Sequence, residues 1–347
     1  MGEPFPFQVD DNLSTRITYS IGELADFLAK DPEPVVIFYG GEPTLELPTM
    51  YDIMNNVKAK IFIMQTNGLF LNDIKPHYLQ RLQTILVSLD GNEELTDHYR
   101  GKGDYRRVID NLKLIRKRGF TGELIARITV EEETRLDEAV KWLISNEEFP
   151  FTSIHWQLDA QFWKRDFNSE RVEKWFKRYN DEVNNLVSYW IEHMEKTGRV
   201  LKIYPFIGLT ESFLRKEKSK LRCGAGWTVF NIQTDGNITP CPVMAGMKKF
   251  YLGNIRKSVP ENLVNSVSVK NLCTECTILD VCGGRCLYAN ATMLWGKEGH
   301  EAVCRTVSNL IESLQHSMPK IRFMMRRGEL KLHDFEYMKY NSCEIIP

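Results

Sequence analysis

The first 222 residues contain no cysteine. That absence excludes a disulfide framework and thiolate metal ligation over nearly two thirds of the chain. Long hydrophobic runs are also missing. None approaches the roughly 18 apolar residues of a membrane span. Residues 1–11 carry Pro4, Pro6 and acidic side chains, with neither the basic start nor the apolar core of a signal peptide. Neither sign of charge is in excess: 45 Lys+Arg against 46 Asp+Glu leave a formal −1 over 347 residues. Bulk electrostatic attraction to nucleic acid or to an anionic membrane is therefore excluded as a driving force. The expectation is a cytoplasmic protein with no nucleic-acid and no membrane partner. A content of 43% hydrophobic and 26% charged residues suits a globular chain with a sizeable core.

Strand and helix signals alternate through the first half. Apolar or β-branched runs occur at 35–39, 60–64, 84–89, 124–130 and 153–158. Amphipathic stretches lie between them at 20–30 (with Ser20 as N-cap), 47–57, 72–82, 104–118 and 133–145. This predicts a parallel sheet with helices packed outside, open or closed into a barrel. A long helix is expected over about 169–196, with Trp175, Tyr179, Val183, Leu186 and Trp190 as its core stripe. The helix starting at Ser20 has no strand before it, so the first strand of the pattern is missing.

The basic stretch Arg215–Arg222 reads as a solvated linker or helix face. It divides the chain into an α/β part, 1–215, and a second part, 216–347, rich in turns, Gly, Pro and cysteine. A final amphipathic helix is expected over about 305–325.

In parallel α/β folds ligands bind at the carboxyl ends of strands. The residues there are Gly40, Gly41, Glu42 and Pro43, then Thr66, Asn67 and Gly68, then Ser88, Leu89, Asp90 and Gly91. The next two strands carry Arg127 and Thr129, then Gln157. Paired glycines admit close backbone approach. Glu42 can accept a hydrogen bond from a cationic amine, and Arg127 or Arg100 can pair with a carboxylate. Ser88, Asn67 and Asp90 suit ribose hydroxyls. An amino acid joined to a nucleoside fits this inventory.

Of 8 cysteines, seven lie between Cys223 and Cys304. Their spacing is Cys223-x12-Gly236-x4-Cys241, then Cys273-x2-Cys276-x5-Cys282-x3-Cys286, then Cys304. Zinc and iron–sulfur ligation both use such thiolates. Seven do not divide into two Cys₄ zinc sites, whereas an iron–sulfur cluster can leave one iron open or bound to another group.

Gly40-Gly41-Glu42-Pro43 after a strand, Ser88-Leu89-Asp90-Gly91 two strands on, and the seven-cysteine spacing together resemble radical S-adenosylmethionine enzymes with a C-terminal SPASM domain. The resemblance covers nearly the whole chain. It implies a partial (β/α)₆ TIM-like barrel, here without its first strand, followed by a small cysteine-rich domain with two auxiliary [4Fe–4S] clusters. Cys273, Cys276, Cys282 and Cys304 would hold one cluster. Cys223, Cys241 and Cys286 would hold the other, with its fourth position unassigned. Cys343 could reach that position, but a free surface thiol near the tail is the expectation. Glu42 and its glycines would contact the methionine part of S-adenosylmethionine, with Ser88 and Arg100 as further contacts. The implied activity is modification of a peptide or protein by a 5′-deoxyadenosyl radical, with reduced ferredoxin or flavodoxin as electron donor.

One departure is severe. The family's CxxxCxxC loop, which binds the cluster that cleaves the cofactor, has no counterpart before Cys223. The missing loop coincides with the missing strand, and loss of about thirty residues, the size of a βα unit, accounts for both. S-adenosylmethionine and a third cluster are then expected only with that segment restored, and these 347 residues alone are not expected to make the radical. The alternative is a non-catalytic iron–sulfur protein of the same fold, serving binding or electron transfer. A zinc-stabilised interaction module is a third possibility. The acid that follows the second cysteine in sulfatase-maturing members is replaced here by Pro242. Asp159, Asp235 and Tyr204 are the remaining candidate bases.

Overall fold

The computed structural model describes residues 5–159, 170–341, 343, 344, 346 and 347. Six parallel strands form one sheet in sequence order: β1 Val35–Phe38, β2 Ile61–Thr66, β3 Leu82–Ser88, β4 Glu123–Val130, β5 Ser153–Leu158 and β6 Lys202–Ile203. Among the described residues β6 pairs only with β5 and β1 only with β2, so the sheet they form is a partial barrel that does not close. Strand β6 has just two residues, too few for an alternation to register in the sequence.

Strand alternation separates two faces. Ile85, Val87, Ala126, Ile128, Ile154 and Trp156 are buried on the outer face. Helices Asp104–Lys117, Leu136–Ser145 and Glu170–Thr197 contribute apolar side chains to the same continuous core. Trp156 donates its indole N–H to the Tyr179 hydroxyl at 2.9 Å, fixing β5 to the third of these helices. The inner face is mixed. Register places Thr84 beside Glu123, Ser88 beside Arg127, Arg127 beside His155, and Thr129 beside Gln157, with the buried Leu86 beside Ile125 among them. Polar side chains on a concave face, opposite an apolar convex one, suit a ligand there.

The helix expected over 72–82 breaks into a short turn, Leu71–Asp73, and a single helical turn, Pro76–Leu79. Pro76 donates no backbone N–H, and Leu82 already belongs to β3. The helix Ile21–Leu28 starts at a capping box in which Ser20 Oγ accepts the Glu23 N–H at 3.1 Å and Glu23 Oε2 accepts the Ser20 N–H at 2.8 Å. Its Leu24 and Phe27 pack with Val57 of the barrel and with Ile238 and Ile255 of the second half.

Those last residues belong to a small antiparallel sheet, β7 Asn231–Ile232, β8 Asn237–Thr239 and β9 Gly253–Asn254. Residues ahead of the first helix run against this region: the Thr18 N–H donates to Thr234 O and the Asp10 N–H to Gly246 O, both at 2.7 Å. The last long helix, Gly296–Arg326, starts earlier than expected and contains Cys304. It lies along Glu170–Thr197, with Asn309 and Asn184 exchanging side-chain hydrogen bonds at 3.2 Å. Among the described residues no helix is long and apolar enough to cross a membrane.

Candidate functional site

The rim is built from three turns. After β1, Gly40 takes φ +115°, a conformation that L side chains rarely adopt. The turn delivers Glu42, whose carboxylate is held by four donors. Oε1 accepts from the Thr44 N–H at 3.0 Å and from the Thr44 and Thr66 hydroxyls at 2.5 and 2.8 Å. Oε2 accepts from the Asn67 N–H at 2.7 Å. Glu42 thus laces the first rim turn to the second. The Asn67–Gly68 turn is fixed from below by Asn111, whose amide donates to Gly68 O at 2.9 Å. Gly68, at φ +81°, has no room for a Cβ, which would meet Val87 Cγ1 at 3.0 Å.

After β3, Asp90 is 1% exposed and bound to Arg100 on the following helix, Nε to Oδ2 at 2.6 Å. It also accepts the Thr129 N–H at 2.9 Å. Arg127 donates to Gln157 Oε1 at 2.5 Å across the inner face. Ser88, Arg127 and Gln157 therefore share the inner face of the sheet, while Thr66 with Asn67 and Asp90 with Arg100 stand at the carboxyl ends of β2 and β3, beside the glycines. Asp90, Arg100, Glu42 and Gln157 are engaged with protein partners.

Two carboxyl groups complete the rim. Glu131 stands two residues beyond Thr129, and Asp159 two beyond Gln157. The two are hydrogen-bonded to each other. Burial first, then the neighbouring Asp159 and Asp90 charges, push the Glu131 carboxyl up to about 7. Glu131 was not found from sequence; its signal is the shared offset, since Asp90 also stands two residues beyond Ser88. Of the other candidate bases, Asp235 caps a turn, accepting the Asn237 N–H at 2.9 Å. Tyr204 lies at the opposite end of the sheet, donating to Glu123 Oε2 at 2.8 Å.

The cysteines fall into two groups. Cys273, Cys276, Cys282 and Cys304 line one cavity together with Arg285, Trp295 and His300. His300 Nε2 lies 3.8 Å from Cys273 Sγ. Burial and then the neighbouring thiols raise Cys304 to about 12. Cys223, Cys241 and Cys286 form the second group, within electrostatic reach of one another. Burial raises Cys223 and Cys241 to about 12. Cys286 also lines the first cavity and so stands between the groups. Among the described residues no three ligand side chains converge closely enough for a single metal ion. All eight thiols are free. The donor sets fit iron–sulfur clusters.

Residues 12–143 match the family model of the Radical SAM superfamily, and residues 223–287 match SPASM, an iron–sulfur cluster-binding domain. The chain carries a radical SAM domain followed by a SPASM domain. It is 24% identical over 275 residues to the cysteine-type anaerobic sulfatase-maturating enzyme of Clostridium perfringens, covering 72% of each chain. It is 31% identical over 133 residues to the Fe-coproporphyrin III synthase of Methanosarcina barkeri, covering 37% of this chain and 33% of that one. The solved structure of native anSMEcpe with bound AdoMet and Cp18Cys peptide superposes with TM-score 0.67 at 18% identity, over 92% of this chain and 98% of that one. The likeness is one of fold.

Two expectations about the SPASM half need correction. Cys343 is not a surface thiol: it is 0% exposed, its pKa held well above the ordinary thiol value by burial and by the neighbouring Glu344 charge. The tail folds back against the amino end of the radical SAM sheet, where the Thr84 hydroxyl meets Met338 Sδ at 3.8 Å and the Asn341 amide donates to Tyr204 Oη at 3.0 Å. Nor is Arg222 solvated. It is 8% exposed, and its guanidinium donates to Val281 O, Gly208 O and Ser212 Oγ at 3.0, 3.1 and 3.1 Å. A sequence window cannot tell a buried arginine that joins three segments from a basic surface run.

Proposed function

We propose that this protein binds S-adenosylmethionine along the rim between Glu42 and Gln157 and carries two auxiliary clusters, in an enzyme that modifies a peptide or protein side chain. The observation that carries this reading is the division of seven thiols into a four-membered and a three-membered group beside a sheet with polar side chains on its inner face. The Clostridium perfringens relative is a sulfatase-maturating enzyme, and the superposed structure holds a peptide, which supports the same substrate class here. When bound, the clusters supply one-electron chemistry.

The chain's own residues perform the remaining tasks. Gly40 and Gly41 bring backbone close to the methionine end of the cofactor, and Glu42 holds that turn against Asn67. Ser88 and Asn67 present hydroxyl and amide groups for ribose. Arg127, oriented by Gln157, offers charge to a carboxylate. Glu131, raised to about 7 by burial and the neighbouring Asp159, can accept or return a proton at the mouth near neutral pH. Domains of 1–215 and 216–347 would divide this labour, with ferredoxin or flavodoxin as donor in a reducing cytosol.

No cysteine precedes Cys223, so these residues offer no thiolates for a cofactor-cleaving cluster. That observation favours a second reading, an electron-transfer protein with two clusters and no radical step. Iron and sulfide in protein purified without oxygen from its source separate the two. About twelve irons per chain would support the radical enzyme, and about eight the electron-transfer protein. Zinc without sulfide would reject both.

A further inference from the structure

Among the described cysteines, the group formed by Cys223, Cys241 and Cys286 supplies three thiols and leaves the fourth position of a cluster unassigned. Cys343 was the sequence candidate, but its electrostatic neighbours beyond Glu344 are Arg127 and Glu123, on the inner face of the sheet. The next residue stands differently. Glu344 is 7% exposed and within electrostatic reach of Cys223. Its Oε1 accepts the Asn341 N–H at 3.2 Å, while Oε2 is buried with no hydrogen-bond partner. We propose that the Glu344 carboxylate is the fourth ligand of the iron–sulfur cluster held by Cys223, Cys241 and Cys286. The proposal rests on the cluster reading given above.

The tail is pinned beside the chain that carries Cys223. Tyr340 packs edge-on against Trp227, with ring centroids 5.5 Å apart. A Cβ on Gly224 would meet Tyr340 Cδ1 at 3.0 Å, so the chain beside Cys223 touches the tail directly. Arg222, the obvious cationic alternative, has already committed its Nε, Nη1 and Nη2 to two carbonyls and a hydroxyl. An acid buried without a full set of partners is costly unless something completes it. Coordination would complete it: an oxygen lone pair goes to iron, the proton leaves to solvent, and no electron is exchanged. Carboxylate is an accepted iron donor.

The test compares the full chain with E344Q, E344A and E344C, reconstituted without oxygen. The readouts are iron, acid-labile sulfide and the electron paramagnetic resonance spectrum of the reduced protein, with and without cyanide as a probe for an open iron. Wild type is expected to hold about eight irons and to ignore cyanide. E344Q and E344A should either lose about half the iron or keep it with a spectrum that shifts on cyanide. E344C should restore full iron with a spectrum altered from wild type, which separates ligand loss from misfolding. E344Q with wild-type iron, spectrum and cyanide response would overturn the ligand assignment while leaving the cluster reading intact, as would E344C with a wild-type spectrum. Wild type without sulfide would overturn both.

Discussion

The Arg100 guanidinium forks onto the Asp90 carboxylate: Nε lies 2.6 Å from Oδ2, and Nη2 donates to Oδ1 at 2.8 Å. Asp90 is almost fully buried, and Oδ1 also holds the Thr129 N–H. This pair joins the turn after β3 to the end of β4. Removing the arginine strands a buried charge, so R100M should cost about 3 kcal/mol. The double variant D90N/R100M should cost less than the sum of the single changes. Urea midpoints of the four proteins check both statements.

Glu42 acts through the turns it joins. E42Q keeps the size but turns one oxygen into a donor facing donors, and E42A removes all four contacts. Both should leave the fold intact and weaken S-adenosylmethionine binding at least tenfold in a full-length protein, E42A more. Equal affinity by equilibrium dialysis for wild type and E42A would refute the rim assignment.

Glu131 gives the rim a pH signature. Its folded pKa, about 7, lies above its ordinary value near 4.5. Between those values the folded state binds more protons than the unfolded state, so stability falls as pH rises and levels off above about 7. E131Q should flatten this decline. Solvent screening reduces the effect to on the order of 1 kcal/mol. Thermal midpoints at pH 5 and pH 8 test it, and an equal decline in E131Q would show that another group is responsible.

Cys276 is the exposed thiol of the four-cysteine cavity. Replacing it with serine removes little packing, so C276S should leave the metal-free fold as stable as wild type. It should nevertheless lower bound iron by about half. Iron assay with circular dichroism separates the two effects, and unchanged iron would exclude Cys276 as a ligand.

Ser20 caps the helix that stands between the two sheets. S20A should cost about 1 kcal/mol. Because Leu24 and Phe27 touch Val57 as well as Ile238 and Ile255, that loss should appear in the unfolding of both halves. Hydrogen exchange in β8 and in the helix Leu47–Asn56 reads each half separately.

The sequence disclosed what rests on local repetition. Five of the six sheet strands are long enough to show their pattern, and the cysteine spacing forecast which thiols would stand together. What it hid depends on distant chain. Glu131 looks like an ordinary acid in a loop until its register with Asp90 and Asp159 is known. Cys343 and Glu344 look like a polar tail until the fold carries them across the sheet. Arg222 looks solvated until Gly208, Ser212 and Val281 arrive around it. Pro76 breaks the amphipathic stretch 72–82 because it donates no backbone N–H to the turn before it.

The helix Gly296–Arg326 spans about 46 Å at 1.5 Å per residue. Cys304 sits near its beginning, in the thiol cavity, while Leu314, Ile321 and Met324 further along are buried in the barrel core. One rod therefore belongs to the metal-binding region and to the sheet at once. The thiol cavity and the sheet are thus coupled through one helix: a change that shifts Cys304 is carried along the same rod to the core around Leu314 and Ile321.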